Sequence, residues 1–203
     1  LITRYWKPVF WALRTRWGRA NEDAKDLTQA FFAWLLERDW LATVEPEKGR
    51  FRSWLRVVLD NFMRNELEAA QALKRGGGAR TLSLDDVDPE PPVEAAGLSP
   101  EQVFDRAWAI HVFHETVADL HDLYRREGRA EWMRVFERRE LDRDPPSAAH
   151  LAQEMGRKPH EVENARKAAR VAFAKLLRAR VKETIGEGAS VEEELRALAD
   201  ALR

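Results

Sequence analysis

The spacing of apolar residues between Arg50 and Arg75 is the strongest constraint on what this chain can fold into. Apolar side chains recur there every three or four residues: Phe51, Trp54, Leu55, Val58, Leu59, Phe62 and Met63. This spacing is typical of an α-helix with one buried face. The helix is predicted to end after Lys74 and Arg75, because three consecutive glycines follow.

The opposite face of the same helix is predicted to be polar and exposed to water. It carries Arg52, Arg56 and Arg64 together with Asn61 and Asn65. Arginine binds phosphate through two parallel donors, and asparagine can pair with the edge of a base. A nucleic-acid surface is therefore one interpretation, and an ordinary solvated amphipathic helix is the other.

The rest of the chain repeats the helical pattern. Helices are predicted at residues 1–18, from a cap at Asn21, at 102–126, at 131–139, from caps at Ser147 and Ser190, and after Pro159. The fold class is therefore all-α.

Residues 76–100 are predicted to be a linker between two helical domains. The segment combines GGG with DDVDPEPP and has few apolar residues to bury. The predicted division is residues 1–75, the linker 76–100, a second domain 101–184 and a final helix 185–203.

The charge distribution is consistent with this division. The chain has 203 residues and a net charge of −1, yet residues 1–80 carry 15 Lys/Arg against 10 Asp/Glu. Residues 81–101 hold six acids and no base, whereas residues 147–182 hold nine bases and three acids. Two basic blocks separated by an acidic segment are typical of two binding modules. The final segment, residues 183–203, carries six acids and two bases, which is unfavourable for DNA.

The second basic block has the spacing of a helix-turn-helix. Ala152, Gly156, Val162 and Ala165 supply the small residue, the turn glycine and the apolar contacts of that pattern. Arg157 occupies a position that is usually apolar. The second helix would present five side chains to a DNA groove: His160, Asn164, Arg166, Lys167 and Arg170.

Two acids in this helix complicate the interpretation. Glu161 and Glu163 would repel phosphate, unless they cap and orient the helix. A helical hairpin with charged flanks and no role in DNA binding therefore remains an alternative.

Several classes of function are excluded or disfavoured by composition. The chain has no cysteine, which excludes disulfides, thiolate catalysis and cysteine-bound metal. Its apolar runs are too short to span a bilayer, and no secretory signal is visible. The motif HVFHE offers His111, His114 and Glu115 as metal ligands for a hydrolase, but the histidine spacing is not that of HExxH. We therefore expect no enzyme activity, metal or cofactor.

The sequence resembles the extracytoplasmic-function sigma factors, the small specificity subunits of bacterial RNA polymerase. The resemblance lies in FRSWL, in Asn61 and Asn65, in KRGGG, and in the upstream segment DAKDLTQAFFAWL, and it extends more weakly to nearly the whole chain. It implies a cytoplasmic protein whose partners are core RNA polymerase, promoter DNA and, in addition, an antagonist (anti-sigma) protein. The natural start is expected to lie upstream of Leu1, because the chain has no initiator Met and begins inside an apolar pattern.

The resemblance also implies three sets of site residues. The polymerase-binding set is Asp23, Asp26, Leu27, Gln29 and Ala30. The set that would bind the melted (minus-ten) promoter element is Arg52, Arg56, Asn61, Arg64, Asn65, Lys74 and Arg75. The five groove-facing residues of the second basic block would bind the upstream (minus-thirty-five) element. Two alternatives remain: a helix-turn-helix regulator that binds duplex DNA without polymerase, and a sigma-like protein that serves only protein interaction.

Overall fold

A computed structural model describes residues 2–38, 51–75, 97–185 and 190–203. These residues form α-helices and contain no strand, which confirms the all-α prediction for this part of the chain. Most of the predicted linker lies outside the described residues. The helices are α1 (Ile2–Arg16), α2 (Asn21–Glu37), α3 (Phe51–Arg75), α4 (Pro100–Arg126), α5 (Ala130–Phe136), α6 (Ala148–Met155), α7 (Pro159–Lys182) and α8 (Val191–Ala201). None of the described helices has both the length and the apolar character that crossing a membrane requires.

The chain divides into two compact units. Unit 1 comprises Leu1–His111 and Glu183–Arg203, and unit 2 comprises Val112–Lys182. The boundary therefore falls inside α4, eleven residues after the predicted start of the second domain at 101. The final helix α8 belongs to unit 1, although unit 2 directly precedes it in the chain.

The core of unit 1 contains the apolar face predicted for α3. Leu55, Val58, Leu59, Phe62 and Met63 are all buried. They share the core with residues of α1, α2 and α4: Tyr5, Val9, Leu13, Phe31, Leu35, Phe104 and Trp108. Aromatic rings connect these helices, since the Phe62 ring lies 5.5 Å from the rings of both Phe31 and Trp34.

Unit 2 has two apolar clusters. The first contains Leu120, Tyr124, Met133, Phe136 and Ala169, from α4, α5 and α7. The second contains Val135, Leu151, Ala152, Val162 and Ala165, from α5, α6 and α7. Three of the residues that carry the sequence pattern of the second basic block therefore pack together in this second cluster.

Local sequence signals account for most helix ends. Ser99 and Gln102 bond reciprocally at the start of α4, and the hydroxyl of Ser147 accepts the His150 N–H at the start of α6. Gly156 ends α6 at φ 63°, in the left-handed region that favours glycine. The predicted cap at Asn21 is wrong, because α2 begins with Asn21 itself after an Ala20 that makes no side-chain capping bond.

Candidate nucleic-acid interface

The α2 outer face consists of Asp23, Asp26, Gln29 and Ala30, all of which are exposed. Leu27, the fifth residue of the predicted polymerase-binding set, is half-buried. The helix is fixed from behind by its buried side, which comprises Ala24, Thr28, Phe31, Phe32 and Leu35. The Thr28 hydroxyl donates to the Ala24 carbonyl at 2.6 Å, so this buried polar group is satisfied within the helix. The face is therefore an exposed surface with two carboxylates, on a helix whose other side is buried.

The α3 outer face consists of Asn61, Arg64 and Asn65, which are exposed as the helical pattern predicts. Arg56 is half-buried, and its Nη1 lies 3.7 Å from Asp105 of α4. The backbone of Lys74 and Arg75 is helical, but their side chains lie outside the described residues. Of the seven side chains predicted for this surface, three are therefore placed on it.

The expectation that Arg52 faces water is wrong. Its side chain is only 4% exposed, and its Nε lies 3.2 Å from Oε1 of Glu194 in α8, which is 2% exposed. The guanidinium carbon lies 4.4 Å from the centroid of the Trp108 ring, a cation–π distance, and Asp105 follows at 3.6 Å. Arg52 therefore connects α3, α4 and α8 in the interior of unit 1.

The α7 outer face consists of His160, Asn164, Lys167 and Arg170, and all four are exposed. They lie at helical spacing on the side of α7 opposite its buried residues Val162, Ala165 and Ala169. A long helix with a covered back and a cationic, amide-bearing front has the shape and the donors needed to enter a DNA major groove.

Arg166 lies beside this face but is held by acids of its own unit. Its Nε lies 2.6 Å from Oε1 of Glu140, and its Nη1 lies 3.7 Å from Glu163. The hydrogen bond to Glu140 raises the pKa of Arg166 above its ordinary value. The structure thus supplies an internal partner for one of the five predicted groove residues.

The two acids of α7 have structural roles. The Glu161 carboxylate accepts the Lys158 N–H at 2.7 Å and so caps the first turn, which lowers the pKa of Glu161. Glu163 accepts from Nη2 of Arg139 at 3.0 Å. Both carboxylates are therefore occupied by the protein's own donors, as the capping interpretation requires for Glu161.

Two further cations of the second basic block also bind acids within unit 2. Arg180 donates to Asp119 at 2.7 Å and to Glu115 at 2.9 Å, which clamps α7 to α4. Arg157, in its unusual position, donates twice to Glu131, at 2.7 and 3.1 Å. An ion pair thus replaces the apolar contact that the helix-turn-helix pattern predicts at this position.

Sequence reasoning did not identify three exposed apolar residues on these faces. Val57 (59% exposed) lies in line with Asn61 and Arg64 on α3, and Val171 (71%) lies in line with Lys167 on α7. Leu36 (51%) continues the α2 outer face by two turns beyond Gln29. Helical spacing from the neighbouring polar residues is the signal that would have found them.

The alternative metal site gains no support from the geometry. The Glu115 carboxylate is bound to Arg180, and His114 is exposed. In the part of the chain that the structure describes, no three His, Asp or Glu side chains are grouped as metal ligands.

No protein-family model, curated protein or solved structure matches this chain.

Proposed function

We propose that this protein is a sigma-type subunit that binds core RNA polymerase and directs transcription initiation at promoters. The observation that carries the proposal is the α7 outer face: His160, Asn164, Lys167 and Arg170 are exposed on one side of a helix whose other side is packed against α5 and α6. In this role, His160 and Asn164 contact base edges, and Lys167 and Arg170 contact phosphates.

The other two faces support the same role. The α3 outer face offers Arg64 for phosphate, and Asn61 and Asn65 for bases of a melted strand. The α2 outer face is acidic and is the surface assigned to polymerase. The protein has no catalytic chemistry of its own in this proposal; it acts in the cytoplasm, and an antagonist protein would compete for the same surfaces.

Binding through two modules explains how weak contacts can give a selective complex. Linking two sites turns the second binding event into an intramolecular one, which raises its effective concentration. Unstacking a base costs a few kcal/mol, and contacts from α3 would offset that cost. Neither module then needs high affinity for its own promoter element.

Run-off transcription with purified core polymerase tests the proposal. Initiation from a promoter library should require this protein, and the two should form a one-to-one complex on a sizing column. Core polymerase that initiates equally well without the protein, together with the absence of a complex, would overturn the proposal.

Lys167→Ala tests the α7 outer face. Loss of one phosphate contact should flatten the plot of log affinity against log salt by about 0.9. Arg125→Ala is the matched control, because this cation is 71% exposed on α4 and pairs only locally with Asp122 at 3.0 Å. Equal slopes for the two variants would remove Lys167 from the interface.

A regulator that binds duplex DNA without polymerase is the second candidate. The burial of Arg52 favours it, because one of the cations assigned to the melted strand is held by Glu194 instead. Mixing with core polymerase distinguishes the candidates: such a regulator binds duplex DNA and leaves polymerase unbound.

A further inference from the structure

The segment that follows α5 has an unusual backbone. Residues Glu137–Leu141 form a π-helix, and the N–H of Asp142 bonds to the Glu137 carbonyl, five residues earlier, at 3.1 Å. A π-helical turn is wider than an α-turn, so it changes the direction of the side chains that follow, and such turns are frequent at functional sites. The α-helical periodicity of α5 therefore does not account for the backbone geometry of residues 137–141.

The π-helical turn directs its charged residues toward the neighbouring helices. Arg138 lies 2.9 Å from Asp142 and 3.7 Å from Glu154 of α6, and Arg139 lies 3.0 Å from Glu163 of α7. Arg139 also donates to the Pro146 carbonyl, and only 14% of its side chain is exposed. These two arginines fix the turn in place against α6 and α7.

Glu140, the next residue, faces the cations of α7. Its Oε1 lies 2.6 Å from Nε of Arg166 and 3.9 Å from Nε of Arg170. About a quarter of each side chain in the Glu140–Arg166 pair remains exposed, whereas Arg170 is 61% exposed. A carboxylate oxygen and a phosphate oxygen make the same kind of charge-assisted bond to a guanidinium. The pair is open enough to water for a phosphate to reach Arg166.

We propose that Glu140 is a positioning residue whose carboxylate occupies the position beside Arg166 that a DNA phosphate takes in the complex. In this proposal, α7 binds DNA by exchanging the Glu140 carboxylate for a DNA phosphate. The inference rests on the proposed binding of DNA by α7. Glu140 keeps the Arg166 guanidinium oriented beside the α7 outer face, and it neutralises that charge until a phosphate arrives in the same place. It thereby weakens DNA contacts that do not bring a phosphate to Arg166, which is how an internal competitor favours one docking geometry over others.

Glu140→Gln tests the inference, with random-sequence duplex DNA as the probe. The substitution keeps the shape but removes the nearer competing charge, so affinity should rise and the salt slope should steepen by at most about 0.9, since Glu163 still lies 3.7 Å from Arg166. That gain should shrink by at most about 3.5-fold between 50 and 200 mM salt. Arg166→Ala should have a smaller effect on the slope in the natural chain than in the Glu140→Gln background, because Arg166 is already neutralised when Glu140 is present.

Glu154→Gln is the matched control. It also removes one carboxylate from unit 2, but Glu154 contacts Arg138 and His150 instead of α7. Equal affinities and slopes for Glu140→Gln and Glu154→Gln would overturn the inference while leaving DNA binding by α7 intact. If neither the natural chain nor either variant binds the duplex at low salt, the proposed function fails and the inference fails with it.

A second measurement uses the unaltered protein and does not depend on how a variant folds. The Nε–H resonance of Arg166 should be protected from exchange in the free protein, because Glu140 accepts that bond. It should shift when the random-sequence duplex is added to saturation. An Nε–H resonance that stays unchanged at saturation would overturn the exchange of carboxylate for phosphate.

Discussion

Removing Arg52 should destabilise unit 1 far more than removing any exposed arginine. Arg52 and Glu194 are 4% and 2% exposed, so losing either partner removes the nearest opposite charge from a group held in the interior. Breaking a buried pair in this way costs about 3–5 kcal/mol. We expect Arg52→Met to lower the free energy of unfolding by about 4 kcal/mol, because it also loses the Trp108 contact. Glu194→Gln should lower it by about 3 kcal/mol, because Asp105 still faces the arginine at 3.6 Å.

The double variant separates the pair from its surroundings. Arg52→Met combined with Glu194→Leu replaces two buried charges with apolar side chains of similar volume. Such replacements are often neutral or stabilising, because the desolvation penalty of both ions disappears. The free energy of unfolding of the double variant should therefore be within about 1 kcal/mol of that of the natural chain, or higher. It should also exceed that of either single variant.

Urea unfolding followed by tryptophan fluorescence measures these differences. Of the eight tryptophans in the chain, only Trp132 belongs to unit 2, so the signal reports mainly on unit 1. With a denaturant slope of about 2 kcal/mol per molar urea, a loss of 3–4 kcal/mol lowers the midpoint by about 1.5–2 M. Arg56→Met is the control: its pair with Asp105 is 28% exposed on both sides, and we expect less than about 1 kcal/mol.

Two results would refute this reasoning. One is a midpoint for Arg52→Met that matches that of Arg56→Met. The other is a double variant as unstable as Arg52→Met alone, because the cost would then come from lost packing and not from an unpaired charge.

Four further outcomes are expected. Asp26→Ala should weaken binding to core polymerase in a sizing assay while duplex affinity persists; equal loss of both would indicate misfolding. Gly156→Ala should cost about 1–2 kcal/mol in urea unfolding, purely from its positive φ, since an added Cβ meets no atom within 4 Å; no loss would contradict the left-handed cap. Arg180→Ala should destabilise unit 2 without changing the salt slope for DNA, because Asp119 and Glu115 bind this cation. A flatter slope would indicate that Arg180 contacts a DNA phosphate. The pKa of Glu161 lies below its ordinary value of 4.5. Its contribution to helix stability is therefore present above pH 4.5 and should fade as pH drops through the lower pKa of the folded state. This expectation is contradicted if the helix content of Glu161→Gln falls with pH in parallel with that of the natural chain.

The features that the sequence predicts well are those encoded by residues close together in the chain. The Ser147 cap and the Gly156 turn each involve residues at most four apart, so their identities determine their geometry. The apolar face of α3 follows from spacing alone, and its buried residues lie where the periodicity places them.

The features that the sequence does not predict depend on partners far along the chain. The polar series groups Arg52 with Arg56 and Arg64, although its spacing of three and seven residues from Leu55 and Leu59 places it on the buried face of α3. Its partner Glu194 is 142 residues away, so the local pattern does not show which acid compensates its charge. The π-helical turn at 137–141 is likewise invisible to the α-helical period, which assigns the segment to a simple continuation of α5.

These distant pairs also change the meaning of the charge blocks. Residues 147–182 carry nine bases and three acids, yet Arg157, Arg166 and Arg180 are paired with acids supplied by the preceding, net-negative segment. Long-range attraction to DNA depends on the net charge of the whole unit, whereas close contact depends on the exposed cations of one face. Paired arginines add little to the long-range attraction, because their acids cancel their charge, and Arg166 makes a close contact only by giving up Glu140. The α7 outer face with its few exposed cations, and not the basic block as a whole, should therefore determine how strongly salt weakens the binding of unit 2 to DNA.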